Sequence, residues 1–166
     1  IIVSRTAPKF LEKLLELEIP EIQDGTIILK KVVRIPGEKA KIAVDAYDDR
    51  IDPVGACVGV KGSRIHGVVR ELRNENIDVI QWSKNSEILV KRALGNVTIN
   101  KVEINEDENY ALVYTPVEEI SKVIGKQGQN IRLASWLSGF EIDVYREKQA
   151  DDDVELTEFD DEIEAW

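Results

Sequence analysis

One eight-residue pattern occurs twice in this chain and limits what the chain can fold into. Residues 58–65 read Val-Gly-Val-Lys-Gly-Ser-Arg-Ile, and 66 residues later residues 124–131 read Ile-Gly-Lys-Gln-Gly-Gln-Asn-Ile. Farther along, Asn-Ile-Asp-Val at 76–79 recurs as Glu-Ile-Asp-Val at 141–144. A segment that repeats at this distance predicts two copies of one small structural unit within the 166 residues.

Both copies predict the same order of elements: helix, strand, strand, helix, glycine loop, helix, strand. In the first copy, Pro8 opens a helix, strands cover 26–35 and 40–47, and a strand at 78–82 closes the unit. After the first loop, apolar residues at i, i+3, i+4 and i+7 predict an amphipathic helix: Ile65, Val68, Val69 and Leu72. The second copy predicts helices at 86–94, 118–124 and 129–137 and strands at 97–104, 110–115 and 141–145.

The helix before each loop begins with a proline that follows a good N-cap residue. These pairs are Asp52-Pro53 and Thr115-Pro116, and Glu118 would complete a capping box with Thr115. The distance from proline to loop is three residues longer in the second copy, so its helix should be about one turn longer.

The predicted domain organisation follows from the repeat. Residues 1–6 are a leading segment from a preceding domain, 7–82 the first unit, 83–146 the second unit and 147–166 a disordered acidic tail. The first residue is isoleucine, which suggests a fragment of a longer protein. Few residues separate the units, so we expect them to pack rigidly against each other.

Charge is distributed very unevenly. The chain carries −10 in total, and residues 147–166 account for −9 with ten acids against Lys148, which leaves about −1 on the body. Both loop regions are basic: residues 59–73 and residues 122–136 each carry +3. An overall acidic protein can therefore still present two cationic patches to a polyanion.

The chemistry is concentrated in the two Gly-x-x-Gly loops at 59–62 and 125–128. Glycines remove the Cβ atoms that would hold a phosphate away from the backbone. The helix that begins at the loop directs free N–H groups and its positive dipole end at an anion, and Lys61 or Lys126 adds a charge. A lone loop of this kind could be a plain helix–helix turn, but the repeated context favours phosphate binding.

The α-β-β-α-Gly-x-x-Gly-α-β order resembles the bacterial, type II KH fold, present twice. The fold class is thus α+β, each unit having a three-stranded mixed sheet. Over about residues 3–145 the chain is similar to the NusA family of bacterial transcription elongation and termination factors. The resemblance rests on 52–59, 61–64 and 124–134, with support from 4–6 and 18–22.

The resemblance implies single-stranded RNA binding by one continuous platform that modulates pausing, termination and antitermination. It also implies preceding domains, absent from this sequence, that contact RNA polymerase and RNA. The RNA-contacting residues carried over by the match are Gly59, Val60, Lys61, Gly62, Ser63 and Arg64 in the first loop, and Gly125, Lys126, Gln127, Gly128, Gln129 and Asn130 in the second, with Arg132 close by.

Other candidate residues favour structural roles. His66 could stack on a base but is more simply a helix-surface residue, and Cys57 is a small buried hydrophobe rather than a thiol activated by His66. One cysteine and one histidine cannot form a structural zinc site. Asp151, Asp152 and Asp153 could hold a cation, but the pattern is more typical of a solvent-exposed stretch of acidic residues in a disordered tail. Trp82 and Trp136 predict core or inter-domain packing.

These observations predict a monomeric, cytoplasmic RNA-binding module that is not an enzyme and has no cofactor, metal or membrane attachment. Its single cysteine is consistent with a reducing compartment. Two alternatives remain open at this point. The units could be scaffolds of an adaptor whose acidic tail docks a protein partner, or that tail could fold back and compete with RNA for the basic loops. A chain that carries these units as accessories of an RNA-processing enzyme would still only bind RNA through them.

Overall fold

The computed structural model describes residues 1–146 and divides the chain into two compact units between Trp82 and Ser83. The predicted disordered tail, and with it the aspartate run at 151–153, lies outside the described residues. The rigid packing of one unit on the other stays a prediction.

The first unit is a three-stranded sheet covered on one face by helices. Its elements are α1 Pro8–Glu18, α2 Pro20–Gln23, β1 Ile27–Ile35, β2 Lys39–Ala46, α3 Pro53–Val58, α4 Ser63–Glu71 and β3 Asn76–Gln81. The sheet order is β1-β2-β3, with β1 antiparallel and β3 parallel to β2. The predicted order is confirmed, and the short α2, begun by Pro20, is an addition to it.

The core of this unit explains why the helices form where they do. Pro8 occupies the first helical position of α1, and Leu11 and Leu15, one turn apart, are fully buried. They pack with Ile42 and Val44 of β2 and with Val68 of α4. Each such side chain stabilises the fold by about 1.5–3 kcal/mol of transfer free energy, so α4 and its preceding loop are held against the sheet.

The second unit repeats the plan. Its elements are α5 Ser86–Leu94, β4 Lys101–Asn105, β5 Tyr110–Thr115, α6 Ile120–Ile124, α7 Gln129–Ser138 and β6 Glu141–Arg146. The sheet order is β4-β5-β6, again antiparallel and then parallel. The edge strands β3 and β6 each follow the helix that the glycine loop opens, so loop, helix and edge strand are neighbours in both units.

Three local predictions near β5 were wrong: the Thr115 cap, the start of β4 and the longer helix before the second loop. The Thr115 hydroxyl donates to the carbonyl of Thr98 at 2.6 Å, so it does not cap a helix. In addition, β4 begins at Lys101 rather than at 97. The extra length before the second loop is real, but it forms a 3₁₀ turn at Val117–Glu119 ahead of α6. The predicted Asp52 cap is confirmed, since its carboxylate accepts from the Gly55 N–H at 3.1 Å.

A buried ion pair holds one end of the first unit. The Arg34 guanidinium donates to both Glu75 carboxylate oxygens, at 3.0 and 2.7 Å, and the two side chains are 4% and 0% exposed. Arg34 also donates to the carbonyls of Arg5 and Ala7, and Glu75 accepts from the Gly37 N–H. The pair thus joins the leading segment, the β1–β2 turn and the entry to β3.

Candidate nucleic-acid interface

The two glycine loops adopt one backbone conformation despite different sequences. Gly59 and Gly125 both have φ 78° and ψ 174°. The third loop residues, Lys61 and Gln127, share φ 54° with ψ 30° and 29°. Each loop forms a 3₁₀ turn that leads directly into α4 or α7, so the N-terminal turn of that helix lies at the loop.

The first glycine of each loop is required for two reasons. Its φ and ψ values lie in a region that only glycine adopts readily. In addition, a Cβ on Gly125 would come within 2.6 Å of the Asn130 Cβ, and one on Gly59 within 2.9 Å of the Arg64 Cγ. The chain therefore packs the start of the second helix directly against the loop, where a side chain would not fit.

The first loop is held by Arg64. Its Nη1 donates to the Ala56 carbonyl at 2.9 Å and to the Glu21 carboxylate at 2.7 Å, with both side chains 33% exposed. The pKa of Glu21 lies below its usual value because its own backbone N–H and the Arg64 side chain hydrogen-bond to the carboxylate. The end of α3, the loop and α2 are thereby joined.

The second loop is held at the equivalent position by Asn130. Its side-chain amide is buried and donates to the carbonyls of Leu94 and Val123, both at 2.9 Å, and of Lys122 at 3.3 Å. Lys122 is the counterpart of Ala56, so both units satisfy the same carbonyl at the end of the preceding helix, one with a guanidinium and the other with an amide.

Exposed cations surround both loops. Lys61 and Lys126 are exposed, and within residues 1–146 neither forms an ion pair with an acid. The fold also adds one carboxylate near each predicted basic patch, because Glu21 pairs with Arg64 and Glu119 pairs with Lys122 at 3.3 Å. The patches are therefore less positive than the local sequence indicates, and the lysines inside the loops are their most available charges.

A groove of about 220 Å³ lies between α7 and β6 in the second unit. Isoleucines form its apolar surface and polar groups its rim; it is lined by Ile124, Gly128, Ile131, Arg132, Ser135, Glu141, Ile142 and Asp143. The Glu141 N–H donates to the Asn109 carbonyl at 2.8 Å, so strand alternation directs the N–H and C=O of Ile142 away from β5. An apolar groove beside a Gly-x-x-Gly loop, with backbone groups at its edge, is suited to an extended single strand of nucleic acid.

The predicted RNA-contacting residues fall into three groups in the structure. The exposed ones are Val60, Lys61, Ser63, Lys126, Gln127 and Arg132; Gly59, Gly62, Arg64 and Gly125 are half-buried; and Gly128, Gln129 and Asn130 are buried. Contact with a ligand is thus open to the first group, whereas Arg64 and Asn130 direct their polar groups into the protein. Sequence reasoning missed Glu21 and the Leu94 carbonyl, since nothing in the local pattern connects them to the loops.

Three other residues singled out in the sequence, Cys57, His66 and Trp136, have well-defined surroundings in the structure. Cys57 is buried, and burial raises the pKa of its thiol to about 11, so it is a small core residue as predicted. His66 is exposed on α4, with its ring against Gly62. Trp136 is 47% exposed on α7 and so is not a core residue of its unit, whereas the other predicted role, packing between the units, stays a prediction.

Residues 1–146 contain neither a candidate metal site nor a candidate membrane span. No three histidine, cysteine or carboxylate side chains there are grouped closely enough to hold a metal ion. The helices of this part of the chain are also too short or too polar to cross a membrane.

Two copies of this α+β unit, each with a Gly-x-x-Gly loop between helices, define a tandem KH module. Residues 5–82 match the model of the NusA-like first KH domain and residues 86–152 that of the NusA-like second KH domain. The chain therefore belongs to the NusA family and contains its two KH domains.

Named relatives agree. Transcription termination/antitermination protein NusA of Halalkalibacterium halodurans is 47% identical over 150 residues, and that of Bacillus subtilis is 45% identical over 150. Each alignment covers 90% of this chain, and the chain spans only 39–40% of the length of these relatives. The crystal structure of APE1850 shares the fold at 22% identity and a TM-score of 0.56, over 79% of this chain and 96% of its own. The matched family models are KH domains, and the named relatives are transcription termination/antitermination proteins.

Proposed function

We propose that this chain binds single-stranded RNA through both glycine loops, as part of a transcription factor that acts in termination and antitermination. The observation that carries the proposal is the identity of the two loop conformations, each with an exposed lysine at the start of a helix. The names of the relatives supply the transcriptional context. Contact with RNA polymerase, pausing, a monomeric state and a cytoplasmic location stay predictions.

Within each site, the role of each residue follows from how exposed its side chain is to solvent. The loop glycines, together with Lys61 or Lys126, grip phosphates, while Arg64 and Asn130 keep the loops in their binding conformation. Bases of the same strand enter the groove, where Ile131 and Ile142 contact their faces and the Ile142 backbone their edges. The proposed contact set is thus Gly59, Val60, Lys61, Gly62, Ser63, Gly125, Lys126, Gln127, Gly128 and Arg132, with Gln129 beneath the second loop.

The test is a fluorescence-anisotropy titration of a 12-nucleotide unstructured RNA at several salt concentrations. The variant combines Val60→Asp and Lys61→Asp with Lys126→Asp and Gln127→Asp. We expect it to bind at least about 100-fold more weakly, since phosphate contacts supply most of the affinity. The parent's log–log salt slope should exceed that of the variant by about 1.4, which is the share of two lysine–phosphate contacts to a single strand.

A matched control separates local contact from overall charge. Exposed lysines outside the loops, Lys13, Lys30 and Lys84, are changed together to aspartate, which lowers the net charge by the same amount. This variant should lose far less affinity than the loop variant. Equal losses would show that the loops have no special role. Equal binding by parent and loop variant, with both folded, would overturn the RNA assignment and favour the adaptor alternative.

A further inference from the structure

The helices after the two loops carry a matching pair of exposed side chains, of which the proposed contact set includes only Arg132. On α4 these are His66 and Arg70, and on α7 they are Arg132 and Trp136. The repeat aligns His66 with Arg132 and Arg70 with Trp136. Each helix thus presents one aromatic ring and one guanidinium, four residues apart on one face but in opposite order.

The first residue of each pair, His66 or Arg132, lies against the glycine loop that precedes its helix. A Cβ on Gly62 would lie 2.9 Å from the His66 ring, so that ring covers the loop. The Arg132 Nη2 donates to the Gln127 carbonyl at 3.4 Å. The second member lies one helical turn, about 5.4 Å, farther along the axis. The exposed face therefore leads away from the phosphate-binding loop along the helix.

On this face, the exposure and position of Trp136 point most directly to a ligand. It is 47% exposed and directly follows Ser135, which lines the groove between α7 and β6. An indole at a half-exposed site retains a large apolar surface in water. Its neighbour on the same face is the cation Arg132. An exposed ring beside a cation favours binding of a nucleic acid, which offers both flat bases and phosphates, over binding of an apolar protein surface.

We propose that Trp136 stacks on a nucleobase at the rim of the second groove, next to a phosphate held by Arg132. The inference rests on the proposed RNA binding and extends that site by one base beyond the groove. In the first unit, His66 and Arg70 offer the same two chemical groups in exchanged positions, so the strand meets a ring and a guanidinium in reverse order there.

The direct test is the indole N–H region of the ¹H–¹⁵N spectrum of the whole chain, during titration with a 12-nucleotide oligo(A) RNA. The Trp136 signal is assigned as the one missing from Trp136→Phe. We expect this signal to move upfield with the occupancy of the RNA, because a stacked base lies over the indole. The same signal should stay in place when RNA is added to the four-aspartate loop variant.

Affinity supplies the second measurement. Trp136→Ala should weaken binding of the oligo(A) RNA about tenfold, within the range measured for base–aromatic stacking. Trp136→Phe should stay within about threefold of the parent because it keeps a ring. Leu17→Ala is the matched control, since Leu17 is a large exposed apolar residue on α1, 80% exposed, and its removal should leave affinity unchanged.

The outcomes separate this inference from the proposed function. A parent that binds RNA and loses binding in the loop variant, but whose Trp136 signal does not move, would overturn the stacking role alone. If Trp136→Ala is poorly folded, the spectrum of the parent still decides the question. Failure of the parent to bind any RNA would overturn both proposals.

Discussion

The two units reach one fold with different stabilising contacts at equivalent positions. In the first unit, Arg34 and Glu75 form a buried ion pair, whereas the strand registers place Ile104 and Phe140 at these positions in the second. The ion pair satisfies three backbone groups besides the two charges. Ile104 and Phe140 carry no charges, so the second unit needs no such network at these positions.

The loops show the same contrast. Arg64 holds the first loop from a half-exposed position through a charged partner in α2, and Asn130 holds the second from a buried position through neutral carbonyls. The loop backbones are nevertheless the same within a few degrees. The binding conformation is therefore what the two units share, and the contacts that maintain it are interchangeable.

The largest expected effect is on the buried ion pair. Glu75→Gln leaves the Arg34 guanidinium buried without its countercharge, so the free energy of unfolding of the first unit should fall by about 4 kcal/mol. The apolar swap Phe140→Leu at the equivalent place should cost the second unit less than about 1.5 kcal/mol. Hydrogen exchange of β3 and β6 amides in the whole chain measures each unit separately. Similar costs in both units would contradict the contrast.

Alanine at the first loop glycine should be more damaging in the second loop. Both Gly59→Ala and Gly125→Ala incur the strain of a positive φ, about 2 kcal/mol. Both new Cβ atoms would crowd a backbone nitrogen, that of Arg64 at 3.0 Å or that of Asn130 at 2.9 Å. The one at Gly125 would also lie 2.6 Å from the Asn130 Cβ, whereas the one at Gly59 would lie 2.9 Å from the flexible Arg64 side chain. We expect about 1 kcal/mol more at Gly125. Exchange of α4 and α7 amides would reveal the order, and a larger loss at Gly59 would contradict it.

Removing the side chain that holds each loop should show which contact matters more. Asn130→Ala removes two buried hydrogen bonds, to the carbonyls of Leu94 and Val123, and a longer part-buried one to Lys122, so we expect the second unit to lose about 2 kcal/mol. Arg64→Ala removes a half-exposed pair and should cost the first unit less than about 1 kcal/mol. Chemical denaturation monitored at amides of each unit checks this. Equal losses would mean that burial does not distinguish the two contacts.

The smallest effect concerns pH. The pKa of Glu21 is lowered in the folded protein, so its ionised form stabilises the first unit above pH 4.5, the ordinary value. That stability is lost as the pH falls through the lower folded pKa. Protection of α4 amides should therefore decrease slightly more than that of α7 amides under acid, by a few tenths of a kcal/mol. Glu21→Gln should reduce the difference, and an unchanged difference would assign it to other carboxylates of the first unit, such as Asp78, whose pKa is also lowered.

Much of the fold could be read from local patterns. The prolines that begin α1 and α3 and the apolar spacing of α4 each depend on neighbours within a few positions, and the repeat at 66 residues shows the same local patterns a second time. The predicted cap at Thr115 failed because a carbonyl 17 residues away, that of Thr98, competes for the hydroxyl. Helix α2 is only four residues long, too short for a periodic pattern to reveal it.

The loops mark the limit of sequence reasoning for the site. Their glycines are needed because of backbone angles and close packing by residues only five positions away, so position and residue type suffice to find them. Whether a nearby polar residue faces solvent or the interior depends on partners far along the chain. Arg64 meets Glu21 43 residues away, Asn130 meets Leu94 36 residues away, and Arg34 meets Glu75 41 residues away. Such contacts form only when packing brings distant segments together, because no local periodicity encodes them.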